Sequence, residues 1–333
     1  MPQTPPVPQD VLDLVQGAQR ILLTGHVRPD GDCIGAQAAL AQLLAKLGKE
    51  VVILNPDPPE PVFDYLGELV EYHAYEGGDV PAHDLLMLLD ISELGRCGDL
   101  AEPLRLAPAK KLVVDHHVHH GAEWWDAALV DNTASATGVL VYRLAAALGL
   151  ELDAGIAAGL FTSLVTDTGW FKYSNTDAET LRIASDLVEH GVKPHELFGA
   201  IFQRHPASLP HELGELLARM EYHADDRLAV LTTSGPSDDL GGGSDMLLDI
   251  LRAVDAVEVV LFLRHTGDGR AKLSARSKRD FDVNALARRF GGGGHIKASG
   301  ATLEGPFEDA HQALVAAALE ELESQLATGG PAE

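Results

Sequence analysis

The sequence predicts an α/β protein of two domains: an N-terminal parallel-sheet domain and a smaller C-terminal mixed α/β domain. Three observations carry this reading. In the first half, short apolar runs alternate with helix-length segments, the pattern of a parallel sheet with crossover helices. The last third changes to closely spaced strand patterns around a glycine-rich run. The 333 residues also exceed the roughly 250–300 that a single hydrophobic core usually supports.

The elements follow in order. Ile21–Thr24, Val51–Asn55, Leu85–Leu89 and Leu112–Val114 are apolar runs bounded by polar or turn residues, as in strands buried on both faces. Gly35–Leu47, Asn132–Leu148 and Asp153–Thr166 predict helices, the latter two alanine-rich. Ala178–His190 and Leu209–Tyr222 continue as helices, in a region punctuated by Pro194, Pro206 and Pro210. Beyond it, Leu228–Thr232, Glu258–Arg264 and Ala271–Arg276 predict strands, and Ser244–Val254 and Val283–Phe290 predict helices. A glycine-rich turn at Gly291–Gly294 leads to a strand near Ala301, and Val315–Leu326 closes the chain as a helix. The expected organisation is a first domain over 1–190, a helical connector over 191–225, a second domain over 226–326, and a disordered tail over 327–333.

Composition narrows the functional classes. Fifty acidic residues against 25 Lys and Arg give a formal net charge of −25, which excludes a nonspecific coat for duplex DNA. Two cysteines exclude a disulfide scaffold and fit a reducing compartment. Apolar runs end well short of the ~18 residues a membrane span needs. The N-terminus MPQTPPVPQD lacks the basic and apolar regions of a signal peptide. A soluble cytoplasmic protein with no membrane partner is the expectation. Within this acidic chain, Arg264–Lys297 holds nine basic residues and three acidic ones, an island suited to an anionic ligand.

The positions of Asp and His carry the chemistry. Strand Ile21–Thr24 is followed by His26, Asp30 and Asp32; Leu85–Leu89 by Asp90; Leu112–Val114 by Asp115-His116-His117; and the apolar helix through Val165 by Thr166-Asp167-Thr168-Gly169. In an open parallel sheet the carboxyl ends of strands gather in one crevice. Several partly desolvated acids there repel one another unless a cation joins them. His26, Asp30, Asp32, Asp90, His116 and Asp167 supply four carboxylates and two imidazoles without a thiolate. Such mixed O/N donors suit Mn²⁺, and less closely Mg²⁺, Fe²⁺ or Co²⁺. Six ligands exceed the need of one tetrahedral ion, and two ions sharing a bridging carboxylate would use them all. Paired metals ~3.5–4 Å apart are the usual device for in-line attack on phosphorus.

These motifs resemble those of the DHH phosphoesterase superfamily. The likeness runs through Gly25-His26 to Gly35, Asp90-Ile91-Ser92, Asp115-His116-His117 and Thr166-Asp167-Thr168-Gly169. It continues with Arg276-Ser277, Gly291-Gly292-Gly293-Gly294-His295 and Ala298-Ser299-Gly300, which look like a DHH-associated domain. The short two-domain layout is most similar to the bacterial nanoRNase (oligoribonuclease) and pAp phosphatase group. Those proteins use Mn²⁺ to remove nucleotides from very short RNAs and to dephosphorylate 3′-phosphoadenosine 5′-phosphate (pAp). The resemblance implies one ion on His26, Asp30 and Asp90, and a second on Asp32, Asp90, His116 and Asp167, with Asp90 bridging. It implies a metal-activated water as nucleophile, His117 at the scissile phosphate, and Asp115 orienting the histidines.

In the second domain, the glycine run can bring backbone amides close to an anion, and Arg276 suits bidentate phosphate recognition. Arg276, Ser277, Gly291, Gly292, Gly293, Gly294 and His295 are therefore the expected substrate-binding residues. The expected partners are short single-stranded RNA or dinucleotides and pAp, and relatives of this layout are often homodimers. An aromatic content of 5% leaves no stacking ladder for a processive nuclease. The alternative reading is a phosphodiesterase of cyclic or linear dinucleotide second messengers. A non-catalytic nucleotide sensor would lack a ligand, and the set is complete.

Overall fold

The computed structural model of the chain describes residues 5–119, 121–233, 235, 244–266 and 269–328. It divides into two units, Met1–Arg204 and His205–Glu333.

The first unit contains strands β1 (Arg20–Thr24), β2 (Glu50–Asn55), β3 (Tyr72–Ala74), β4 (Leu85–Leu89), β5 (Lys110–Asp115) and β6 (Ala127–Val130). Its helices are α1 (Gln9–Gly17), α2 (Gly31–Lys46), α3 (Ala101–Leu106), α4 (Thr137–Ala147), α5 (Ala154–Asp167), α6 (Ala178–Glu189) and α7 (Pro194–Phe202). The strands form one sheet in the order β3-β2-β1-β4-β5-β6, and every neighbouring pair is parallel. Alternate residues serve opposite faces. Ile21, Leu23, Met87, Leu89 and Val114 join the core built on α2, α4 and α5. Leu22, Leu86, Leu88 and Val113 join a second cluster with Leu100 and Leu104. Strand order runs outward in both directions from the β1–β4 pair. The reversal opens a crevice at the carboxyl ends of these two strands, where α/β sheets bind their ligands.

Helix α2 starts four residues before the position expected from its apolar pattern. Asp30 caps it, accepting from the amides of Asp32 and Cys33 at 3.0 and 3.1 Å. This helix is buried almost all round because α5 crosses it at a pair of glycines. A Cβ on Gly35 would lie 2.6 Å from the Gly159 carbonyl oxygen and 2.7 Å from the Ser163 amide nitrogen. Gly35→Val is expected to cost at least ~3 kcal/mol, the upper end of overpacking penalties. A fall in urea midpoint at unchanged m-value checks this. An unaltered midpoint would show that the crossing yields.

The second unit contains helices α8 (Leu209–Leu217), α9 (Ser244–Arg252), α10 (Val283–Arg288) and α11 (Phe307–Thr328). Its strands are β7 (Glu221–His223), β8 (Leu228–Thr232), β9 (Val259–His265), β10 (Ala271–Ser277), β11 (Gly293–His295) and β12 (Ala298–Leu303). They form a mixed sheet in the order β11-β12-β10-β9-β8-β7, with β8 and β9 parallel and the other pairs antiparallel. The two-domain α/β class read from the sequence is thus the observed one.

The stretch expected as a connector divides between the units. Ile201 of α7 enters the first core, and Leu209, Leu213 and Leu216 of α8 enter a cluster with Leu231 and Phe262. The tail expected from residue 327 onward is helical through Thr328, and its remaining residues lie outside the described ones. Among the described residues, no helix is long and apolar enough to cross a membrane.

Candidate functional site

Four segments of the first unit meet at the β1–β4 crevice. His26 stands two residues beyond β1, and its Nδ1 lies 2.9 Å from the Val27 carbonyl oxygen. A carbonyl only accepts, so Nδ1 carries a proton, and in the neutral ring Nε2 is left with a lone pair for a cation. His116, directly after β5, repeats the device through its Nδ1 and the Ala134 carbonyl at 3.2 Å. Asp90 follows β4 in the left-handed region, at φ 63°. Such strain in a non-glycine residue persists where surrounding contacts enforce it. Here the Asp90 amide donates to the Val114 carbonyl at 3.0 Å and its Oδ1 accepts from the Thr137 hydroxyl at 3.2 Å.

Asp90 stands between the two imidazoles. Its Oδ2 is 3.3 Å from His26 Nε2 and its Oδ1 is 3.5 Å from His116 Nε2. Asp32 Oδ2 is 3.4 Å, and Asp167 Oδ2 3.8 Å, from the same His116 nitrogen. Donor atoms of His26, Asp30 and Asp90 lie within 4.8 Å of one another, as do those of Asp32, His116 and Asp167, and those of Asp90, His116 and His117.

The donor set fits divalent ions. Both Nε2 atoms are buried without a hydrogen-bond partner, and each faces carboxylate oxygens at 3.3–3.5 Å. Two ligand atoms ~2.0–2.2 Å from one ion stand about 3 Å apart, close to these separations. The protonation balance tells the same story. Burial opposes charge on His116, yet the neighbouring Asp90, Asp32 and Asp167 carboxylates raise its pKa to about 10. Burial, reinforced by Asp90, pushes Asp32 well above the ordinary carboxylate range. Burial likewise lifts Asp167 to about 6. Asp90 resists its own burial because His116 and His26 hold it ionised. Protons thus do what a cation in this crevice would do better.

Asp115 and His117 form a pair at the edge of this cluster, with His117 Nδ1 also 3.4 Å from Asp90 Oδ1. Asp115 Oδ1 lies 2.9 Å from His117 Nδ1, and its Oδ2 accepts from the Ser92 hydroxyl at 2.5 Å. His117 is 30% exposed while Asp115 is buried, so the ring reaches outward from a fixed base.

Several supporting residues had no signal in the sequence. The amides of Thr137 and Gly138 donate to the Asp32 carboxylate at 2.9 and 3.4 Å, and the Ser163 hydroxyl donates to its Oδ1. Asn175 Nδ2 donates to the Asp167 carboxylate at 3.2 Å. Helix α4 thus turns its amino terminus, with its partial positive charge, towards Asp32.

The second-unit candidates separate into two kinds. Arg276 lies on the half-buried face of β10, and His295 and Gly293 are exposed on β11. Ser277 is one step on and points to the opposite side. It is buried, and its hydroxyl donates to the Phe281 carbonyl at 2.7 Å, which corrects its expected place at the substrate. Two amides of the glycine run are likewise taken up within the unit. Gly291 ends α10 at φ 73°, and the amides of Gly291 and Gly292 donate to the Arg288 and Ala287 carbonyls. A Cβ on Gly292 would lie 2.1 Å from the Gly300 carbonyl oxygen, and one on Gly294 2.6 Å from that of Ala298. Gly292 and Gly294 are glycine because β12 passes so close.

Comparison with known proteins matches this arrangement. Residues 20–164 match the DHH family N-terminal domain, and residues 229–327 match the DHHA1 domain. The bifunctional oligoribonuclease and PAP phosphatase NrnA of Thermus thermophilus is 34% identical over 320 residues, covering 94% of this chain and 93% of that protein. Its Bacillus subtilis namesake is 27% identical over 291 residues, covering 85% and 89%. The crystal structure of an exopolyphosphatase-related protein from Bacteroides fragilis shares the fold, with a TM-score of 0.83, 24% identity and 95% of each chain covered. With both domain matches in the observed order and a relative this similar along nearly its whole length, the chain belongs to the DHH phosphoesterase superfamily, as a DHH–DHHA1 hydrolase similar to the NrnA proteins.

Proposed function

We propose that this hydrolase cleaves short oligoribonucleotides, dinucleotides and pAp with two Mn²⁺ ions. The supporting observation is the two donor triads, His26-Asp30-Asp90 and Asp32-His116-Asp167, with Asp90 within 3.5 Å of the imidazole nitrogen of each. His26, Asp30 and Asp90 would hold one ion; Asp32, Asp90, His116 and Asp167 would hold the other. When bound, such ions stabilise phosphoryl charge and supply an activated nucleophile at neutral pH. Mn²⁺ suits this carboxylate and imidazole set, with Mg²⁺ or Co²⁺ as substitutes.

The chain's own groups complete the chemistry. Asp115, held by Ser92, fixes the His117 ring by its Nδ1 so that its other nitrogen can donate to a phosphate or leaving-group oxygen. Thr137, Gly138 and Ser163 hold Asp32 in place, and Asn175 holds Asp167. Arg276 and His295 bind substrate phosphate or base from the second domain.

The test is a panel of pAp, a linear dinucleotide, a pentanucleotide and a cyclic dinucleotide, assayed after chelation and again with Mn²⁺ restored. Mn²⁺-restored turnover of the dinucleotide and pAp supports the reading. Turnover confined to the cyclic dinucleotide replaces it with the second-messenger alternative.

Arg276→Ala is expected to keep its metal and lose ~1.5–3 kcal/mol of charge-assisted contact, roughly ten- to a hundredfold in kcat/KM. The loss should be largest for pAp and the dinucleotide, which have few other phosphates with which to compensate. An equal loss at all lengths would reduce Arg276 to general electrostatic attraction.

A further inference from the structure

The segment that follows Asp167 is held in a conformation its residues disfavour. Gly169, Trp170 and Phe171 all lie in the left-handed region, at φ 54°, 60° and 64°. Trp170 and Phe171 are the only aromatic residues in that region among the described ones. L-residues visit it mostly as isolated positions, most readily as glycine or asparagine. Such strain persists where surrounding structure enforces it, and it gathers at functional sites.

Local hydrogen bonds enforce part of it. The Trp170 amide donates to the Val165 carbonyl at 2.7 Å, and the amides of Lys172 and Tyr173 donate to the Thr168 carbonyl at 3.1 and 3.0 Å. The Phe171 amide donates to the Thr168 hydroxyl at 3.1 Å. Aromatic rings supply the rest. Trp170 meets Phe161 of α5 edge-on, with 6.0 Å between ring centres, and Phe198 and Phe202 of α7 at 5.0 and 5.7 Å, within the range of favourable aromatic pairs. Phe161 belongs to the helix that ends in Asp167, whereas Phe198 and Phe202 come from a different helix. One turn apart on it, they pack on each other at 5.1 Å. Ile201 beside them anchors α7 in the first core.

The loop so held leaves Asp167 and returns to it. Asn175 Nδ2 donates to the Asp167 carbonyl at 3.1 Å and to its Oδ2 at 3.2 Å, and also to the Ser135 carbonyl at 3.0 Å. That same Oδ2 is the oxygen that faces His116 Nε2. A change of φ at Trp170 would swing the chain that carries Asn175 away from the carboxylate it supports.

We propose that Phe198 and Phe202 are positioning residues. By holding Trp170 in its left-handed conformation they keep Asn175 on Asp167, and so set the affinity of the ion assigned to Asp32, Asp90, His116 and Asp167. This rests on the two-ion reading above, which the wild-type stoichiometry tests separately.

The experiment titrates Mn²⁺ into the metal-free full-length protein and reads free Mn²⁺ by its electron paramagnetic resonance. It compares wild type with Phe202→Ala, Phe198→Leu, Asn175→Ala and the double variant Phe202→Ala/Asn175→Ala. Both α7 rings are 36% exposed, so their replacement removes little of the core. Wild type should bind two equivalents. Each ring variant should keep one equivalent at wild-type affinity and bind the other about tenfold more weakly, as expected of residues that orient a metal ligand. Asn175→Ala should weaken one equivalent in the same way, and the double variant should lose no more than Asn175→Ala alone, because both act along one path. Dinucleotide kcat should fall in every variant at limiting Mn²⁺ and recover in excess, a recovery that a merely structural defect would not show. Two unchanged equivalents in both ring variants overturn the proposal and leave the two-ion reading standing. Equal weakening of both equivalents, or additive losses in the double variant, do the same. Fewer than two equivalents in wild type overturns both.

Discussion

Asp90→Asn is expected to abolish turnover and to lower bound Mn²⁺ from two equivalents to one or fewer. Among the described residues, Asp90 is the single one within 3.5 Å of both unpartnered imidazole nitrogens, so losing its charge weakens both positions. A metal acting as Lewis acid contributes several kcal/mol to the transition state. Its loss therefore costs on the order of a thousandfold or more in rate. Asparagine is the informative replacement because it tolerates the left-handed backbone that Asp90 adopts, which alanine does less well. Elemental analysis after Mn²⁺ loading and gel filtration, alongside kcat for a dinucleotide, checks the result. Two retained equivalents with a normal rate would end the shared-carboxylate arrangement.

His117→Ala should do the opposite to metal and nearly the same to rate. Its Nδ1 is tied to Asp115 at 2.9 Å, and its loss removes proton donation worth about 10²–10⁴-fold. Two equivalents of Mn²⁺ should remain. Loss of one equivalent would move His117 into the ligand set, since its donor atom also lies within 4.8 Å of those of Asp90 and His116. Asp115→Asn leaves the ring in place but removes the nearer of its two carboxylate neighbours, so a smaller fall of about 10- to 100-fold is expected, with metal retained.

Much of this molecule was legible in its sequence for one reason: buried segments leave periodic traces. Strands β1, β4 and β5 are apolar runs because both faces of the sheet are covered, and their ends locate His26, Asp90 and His116. Short edge elements left no such trace. Strands β3, β6 and β7 have three or four residues and mixed burial. Helix α1 buries only Val11 and Val15, and α7 only Ile201. Helix α2 began early because Asp30, read as a candidate ligand, is also its cap.

The sequence by itself determined the two-domain α/β class and the strand ends at which the acids and imidazoles stand. Tertiary structure alone decided which neighbours support them. Asp32 is held by Thr137, 105 positions away, and by Ser163, 131 positions away, and no local pattern encodes such contacts. Tertiary structure also buried Ser277 and engaged two amides of the glycine run. Glycines that admit a phosphate and glycines that admit a neighbouring strand are identical in sequence, and only the passage of β12 within van der Waals reach of Gly292 and Gly294 distinguishes them. A residue's type restricts what it can do, but its partner is set by how distant segments pack.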